Sequence, residues 1–305
     1  MTQVGAPKHD PIPIGDIAKP PFARLSDPLR TFAGRAERLK ALAGGHELRS
    51  YLLFLAGLNE AQHRLQDGLP VVELPAEDAR TRAREFGMPP LDRSRFTTDV
   101  AFEATWQRLL ANADGVEMPD AARLALGRVG AADAVAQAAM VGAVLADSIP
   151  VAALAEHVFA AAALQVHFAR LAAGLDAERL VPVGEGACPV CGGPPVSSVV
   201  VGWHGAHGTR FCSCSLCGTL WNHPRIKCTL CGSTKGIAYQ EIAGGPGTVK
   251  AETCDSCRTY VKVLHQHKDP GLDPVADDVA TLALDLLMRE SGYRRGAINP
   301  FLLGY

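Results

Sequence analysis

Eight of the nine cysteines fall into four Cys-x-x-Cys pairs, and the pairs repeat. Cys188, Cys191, Cys214 and Cys217 each recur forty residues later, as Cys228, Cys231, Cys254 and Cys257, with Cys212 left over. One period running through all four positions marks the duplication of a unit whose two knuckles are separated by 22 residues. A unit of about forty residues buries too little apolar surface to fold without a staple, so the sulfurs themselves constrain the fold.

A Cys-x-x-Cys turn lets two thiolates converge on one ion while backbone amides of the same turn donate to the sulfurs. Glycine after the second cysteine eases the sharp turn, and Gly192, Gly218 and Gly232 fill that position. Arg258 stands there in the fourth knuckle, which must therefore turn with strain or with a different geometry. The β-branched and aromatic stretches Val196 to Trp203 and Lys235 to Ile242 are the expected strands. The expected sites are one ion on Cys188, Cys191, Cys214 and Cys217 and a second on Cys228, Cys231, Cys254 and Cys257. Interleaved pairing is the alternative; the equal 22-residue spacings and the ten-residue link Gly218 to Lys227 favour two consecutive ribbons. Thioredoxin-type dithiols occur once, at a helix start in a βαβ context, and no such context surrounds these four pairs. All-cysteine tetrahedral sites suit both iron and zinc. With four protein ligands and no open position they serve structure or outer-sphere electron transfer rather than hydrolysis. Cys212 reads as a spare, partly buried thiol.

The stretch before Cys188 has no cysteine and reads as helices with glycine stops. Asp27-Pro28 is a cap followed by proline at the first helical position, Phe32, Leu39 and Leu42 follow, and Gly44-Gly45 closes the segment. Leu48, Leu52, Leu55, Leu58 and Leu65 make a second stripe ending at Gly68, and Phe102, Trp106 and Leu109 a third. Pro119 to Gly127, Ala131 to Ala146 and Val151 to Ala173 supply three more, and their alanine-rich faces favour a closely packed bundle. His63, His157 and His167 read as surface or satisfied core residues. After the cysteines, Asp273-Pro274 starts one further helix with Val275, Val279, Leu282 and Leu286 on one face and Asp277 and Asp278 in its first turn. The 305 residues thus divide into a proline-rich tail (1–28), a helical domain (29–180), two ribbons (181–222 and 223–268), and a C-terminal helix and tail (269–305). The fold class is α plus small β: an all-α bundle followed by two tandem rubredoxin-like or zinc-ribbon-like modules and a C-terminal helix.

Charge weighs against a nucleic-acid surface. Between Cys188 and Lys268 eight basic residues face three acids, but eight thiolates and two divalent ions reduce that excess to about +1. Met1 to Pro28 carries six prolines and no apolar core behind a basic region, so no secretory signal is expected there. The apolar region Ala131 to Leu175 is interrupted by Asp133, Asp147, Glu156, His157, His167 and Arg170 and is expected not to span a bilayer. Dinucleotide, phosphate-loop, nucleophile-elbow and His-Glu-x-x-His motifs are absent from the sequence, and no enzyme activity is expected.

The run Cys214-Ser215-Leu216-Cys217 through Trp221, Arg225 and Lys227 to Cys228-Thr229-Leu230-Cys231 resembles the formate dehydrogenase accessory protein FdhE family. So do Cys188-Pro189-Val190-Cys191-Gly192, Arg35-Ala36-Glu37-Arg38-Leu39, and Ala283-Leu284-Asp285-Leu286 through Gly292-Tyr293 to Asn299. The resemblance implies a cytoplasmic protein that is not a subunit of the finished enzyme. It would contact the catalytic subunit of a respiratory formate dehydrogenase before twin-arginine export and be needed for that enzyme's activity. It also implies rubredoxin-type iron at the eight paired cysteines. The alternatives are an electron-transfer protein acting on the same client and a ribbon that binds nucleic acid.

Overall fold

The computed structural model, which describes residues 20–302, begins with a two-residue strand, β1 (Ala23–Arg24), followed by α1 (Pro28–Leu42). Most of the proline-rich stretch expected over 1–28 lies outside the described residues. Asp27 caps α1 by accepting from the Arg30 amide at 3.3 Å, with Pro28 where a helix has no use for an N–H. The helical layer continues through α2 (Arg49–Arg64), α3 (Glu77–Glu85), α4 (Val100–Ala113), α5 (Asp120–Gly130), α6 (Ala134–Leu145) and α7 (Leu154–Ala173). Asp99 and Asp133 cap α4 and α6 in the same way, accepting from Phe102 N at 2.7 Å and Ala136 N at 2.8 Å. Helix α3 has no apolar period, and none of its residues is buried. It is held by Glu77 and Asp78 in its first turn, Arg82 and Arg84 in its last, and an ion pair from Glu77 to Arg179 at 2.7 Å.

Helix α7 is the axis of this layer. The alanines at 160–163 are fully buried, which lets α1, α2, α4, α5 and α6 all pack against one rod. By length and composition alone the segment 151–173 could cross a membrane, contrary to the expectation drawn from the longer, more interrupted region. Its burial within the helical layer assigns it to the core instead.

His167 is neither exposed nor satisfied. It lies fully buried on α7 between the rings of Phe96 and Phe102, 5.4 and 5.5 Å away, and neither ring nitrogen has a hydrogen-bond partner. Burial pushes its pKa down to about 4, and Asp99, whose carboxylate is 4.0 Å from Nε2, opposes this only in part. A histidine kept neutral in the folded state must be charged on unfolding, so its contribution is complete above the unfolded value near 6.5 and is lost between there and pH 4. Going from pH 7 to pH 5 should therefore cost about 2 kcal/mol through this residue. Urea unfolding at the two pH values should show that loss in the parent and not in His167→Leu; the same pH dependence in both would refute it.

The sheet strands are β2 (Pro195–Val200), β3 (Arg210–Cys214), β4 (Leu220–Asn222), β5 (Ile237–Gln240), β6 (Val249–Cys254) and β7 (Thr259–His265). The forty-residue period extends to them: β2-β3-β4 and β5-β6-β7 are two antiparallel meanders at corresponding positions. They do not stand apart as separate ribbons. The first strand of one pairs in parallel with the last strand of the other, Val199 opposite Leu264 and Val200 opposite His265, so the order is β1-β4-β3-β2-β7-β6-β5 in one sheet. Cys212, Trp221 and Val196 face the helical core, whereas Val199, Phe211 and Leu264 form a separate cluster with Val201 and Leu272.

The C-terminal segment departs from expectation. The single helix is broken at Thr281 into α8 (Ala276–Ala280) and α9 (Leu282–Glu290). Leu286 is exposed, and the inward face of α9 is Leu284, Asp285 and Met288. The reason is that three acids are buried and paired, not solvated. Asp277 accepts from Arg38 of α1 at 2.7 and 2.9 Å, and Arg35 reaches Asp273 at 3.1 Å. Asp278 and Asp285 surround the fully buried Lys262 of β7, whose amine is 2.5 Å from Asp285 and donates to the Asp278 carbonyl at 2.7 Å. Arg295 pairs with both carboxylates from β8 (Arg294–Arg295), which adds to β7 in parallel, and Tyr260 and Asn299 complete the set. The stretch after Gly292 is thus built into the fold as far as the described residues extend, with Phe301 and Leu302 buried.

Candidate metal centres

Each knuckle is closed by the same backbone bonds. Cys188 N donates to Gly193 O at 2.9 Å, Cys214 N to Thr219 O at 2.9 Å and Cys228 N to Ser233 O at 2.8 Å, while Cys254 pairs with Thr259 across the β6-β7 turn. Gly192, Gly218 and Gly232 sit at φ near +70°. Arg258 takes the same left-handed conformation, φ +55°, and donates its amide to Cys254 O at 2.9 Å. The fourth knuckle therefore keeps the shared geometry and bears the steric cost of a side chain in it. Its guanidinium lies 4.2 Å from the Tyr293 ring.

The sulfurs gather in two consecutive groups. Cys188, Cys191, Cys214 and Cys217 form one, and Cys228, Cys231, Cys254 and Cys257 the other, every pair within 4.8 Å. In the first, Cys188 to Cys217 is 3.6 Å and Cys191 to Cys214 3.4 Å; in the second, Cys228 to Cys257 is 3.8 Å and Cys231 to Cys254 3.7 Å. A tetrahedron of thiolates at metal–sulfur distances near 2.3 Å has edges of about 3.8 Å, so both cages fit an ion at their centre. They are far too open for disulfides, and all nine cysteines are free. The amides of Leu216 and Cys217 donate to Cys214 Sγ and that of Leu230 to Cys228 Sγ, all at 3.4 Å. Such donors spread the charge of a tetrathiolate centre.

Reading the cysteines alone misses three residues, two of them threonines. Thr219 Oγ1 lies 3.2 Å from Cys217 Sγ and Thr259 Oγ1 2.9 Å from Cys257 Sγ. They are forty residues apart, so the duplication carried their signal. Arg93 is the other omission, and nothing local announced it. The segment before it adds to the first knuckle through Leu91 N to Val190 O at 2.9 Å and Arg93 N to Cys191 O at 3.1 Å. Its guanidinium is held by Asp147 at 3.0 Å, itself strained at φ +52°. Gly193 leaves room for this approach; a Cβ there would lie 3.3 Å from Cys191 Sγ.

The two centres differ in their surroundings. All four sulfurs of the first belong to buried residues in the main apolar core, and Gln165 of α7 anchors its second knuckle through Ser215 O at 2.9 Å. In the second, Cys231 is exposed and Cys257 half-buried. Cys212 belongs to neither; it is wholly buried 3.9 Å from Thr229 Oγ1, and burial pushes its thiol up to about 12, so it stays neutral. A chromogenic chelator should accordingly take one equivalent of metal from the second centre well before the other; release of both at one rate would contradict the difference in burial.

The whole described chain matches three family models in order, "FdhE, N-terminal" over residues 20–185, "FdhE, central domain" over 187–225 and "FdhE, C-terminal domain" over 226–302. The chain belongs to the FdhE family. The FdhE homolog of Rhizobium meliloti (strain 1021) is 48% identical over 298 residues, covering 97% of each chain. That of Edwardsiella ictaluri (strain 93-146) is 37% identical, covering 95% of this chain and 92% of the other. The crystal structure of the FdhE protein from Pseudomonas aeruginosa superposes with a TM-score of 0.83 at 34% identity, over 93% of this chain and 99% of that one. The two cysteine groups of this FdhE chain are thus one four-sulfur metal-binding site each, on an α plus β frame.

Proposed function

We propose that this chain is an accessory protein for the maturation of a respiratory formate dehydrogenase. It acts in the cytoplasm, binds the enzyme's catalytic subunit before export, and catalyses no reaction of its own. The observation that carries this reading is the match to all three FdhE segments, from residue 20 to 302, with both four-sulfur cages intact on one chain. Cys188, Cys191, Cys214 and Cys217 would hold one ion and Cys228, Cys231, Cys254 and Cys257 the other. Iron is the metal we favour, from the rubredoxin-like motifs, and zinc is the alternative that the same sulfur geometry accepts. When bound, each ion supplies a fixed cross-link between two knuckles; the chain's own amides and the Thr219 and Thr259 hydroxyls then orient the sulfurs. We take as its working units the proline-rich stretch 1–28, the helical domain 29–180, the modules 181–222 and 223–268, and the C-terminal helix and tail 269–305.

Affinity capture from formate-grown cells, with metal analysis of the captured material, tests this directly. The catalytic subunit should co-purify with the metal-loaded chain and not with a chain lacking the knuckle cysteines. Full maturation of the enzyme by metal-free protein would end the metal's part in the reading. The exposure of Cys231 favours one second reading, that an iron ion in the second cage passes electrons to the client by contact at the surface. Visible absorption of a ferric tetrathiolate, bleached at a physiological potential, is its signature; fully active zinc-loaded protein would exclude it.

A further inference from the structure

The seam where the two modules join carries a feature that neither metal centre uses. At the C-terminal ends of the parallel strands β2 and β7, a cavity of about 440 Å³ is lined by Arg225, Lys250, Lys268, His207, His265 and His267. No carboxylate lines it; Glu241 stands 2.8 Å from the Lys250 amine, and Glu252 accepts at 2.8 Å from the hydroxyl of the lining Tyr239. Arg225 makes no hydrogen bond or ion pair among the described residues. His265 forms the wall, is 8% exposed, and has no partner for either ring nitrogen. The His265 and His267 rings are 5.3 Å apart and those of His207 and His267 6.1 Å, so three imidazole edges converge on one space with three fixed cations.

This arrangement repels a metal ion and is complementary to a compact polyanion. After the Glu241 pair is counted, two cations remain uncompensated, and the imidazole N–H groups add neutral donors. A cavity of this size lies in the range of small-molecule sites, roughly 300–1,000 Å³, and exceeds the need of one tetrahedral oxyanion. The charge of the two metal-loaded modules, about +1 in all, argues against a nucleic-acid backbone. Burial first, then the neighbouring His267, Lys268, Lys250 and Arg225, drives the His265 pKa down to about 4, so its ring is neutral and free to donate. We propose that this pocket is a binding site for the diphosphate group of a small ligand, with Arg225, Lys250 and Lys268 as charge partners and His265 as a buried donor.

The proposal is independent of the maturation role and is tested on the full, metal-loaded chain. Calorimetry with inorganic pyrophosphate, orthophosphate and ADP should show pyrophosphate binding on the order of tenfold or more tighter than orthophosphate. Tighter binding of ADP than of pyrophosphate would assign the diphosphate to a nucleotide, and equal binding to a free or differently substituted diphosphate. Arg225→Ala with Lys268→Ala, both at exposed positions, should weaken pyrophosphate binding on the order of tenfold or more while leaving metal content and melting temperature unchanged. The His265 ring resonances should shift on saturation. Absence of pyrophosphate binding, binding unaffected by the paired substitution, or capture of an oligonucleotide that pyrophosphate fails to displace would each overturn it.

Discussion

Cys188→Ser should yield almost no folded protein, whereas Cys231→Ser should lose one metal equivalent and keep its fold. Cys188 is fully buried within the core that also holds Leu91, Val190 and the α7 side chains. Serine is a poor ligand for a soft-donor site, and the three remaining thiolates would lie in apolar surroundings with no ion to neutralise them. Binding of structural zinc at four-ligand sites contributes about 10–16 kcal/mol to folding in small domains, as much as the whole stability of an ordinary protein. At Cys231 the outcome differs because that residue is exposed and Cys257 half-buried, so water can reach and solvate the site once the ion is lost. A cost of about 2–4 kcal/mol is expected there, confined to the second module. Soluble yield, metal content by mass spectrometry and thermal melting of the two variants decide the matter; equal losses in both would mean that burial does not set the importance of a centre.

The second large effect should come from a residue with no metal near it. Lys262→Met keeps the volume of the side chain and removes its charge, leaving Asp278 and Asp285 buried with Arg295 as their one remaining cation. Breaking a buried set of this kind from one side costs about 3–5 kcal/mol, because an uncompensated carboxylate remains. Adding Asp285→Leu should recover part of the loss, since two cations less one then face one acid, and the non-additivity is the measure of their coupling. Urea denaturation of the two single variants and the double variant would test this; strict additivity would show that the four charges act independently.

Much of the site was legible because its signal is local and repeated. The eight cysteines, the glycines behind three knuckles and the exceptional Arg258 are all readable from spacing, and the structure gives Arg258 the left-handed backbone its position demands. The aspartate caps of α1, α4 and α6 act locally as well, and the one before α1 is the plainest because Pro28 follows it. What escaped reading depends on partners far away in sequence. Asp277, Asp278 and Asp285 look like a solvated first turn and helix face until Arg38, Lys262 and Arg295 are placed beside them. The parallel pairing of Ser198 with Val263 joins residues 65 apart, and no turn signal can announce it. α3 is held by charge without an apolar stripe, so periodicity is blind to it.

The pairing of Arg35 and Arg38 with Asp273, Asp269 and Asp277 has a consequence for how the molecule is made. Helix α1 finds these counter-charges 231 to 239 residues further along the chain. Until that stretch is made, Arg38 and the interior Arg35 lack these partners. A message cut short before codon 269 should thus release a chain whose α1 can still pack on α2 and α7 but carries two uncompensated arginines, a charge defect that sets unfinished copies apart from finished ones.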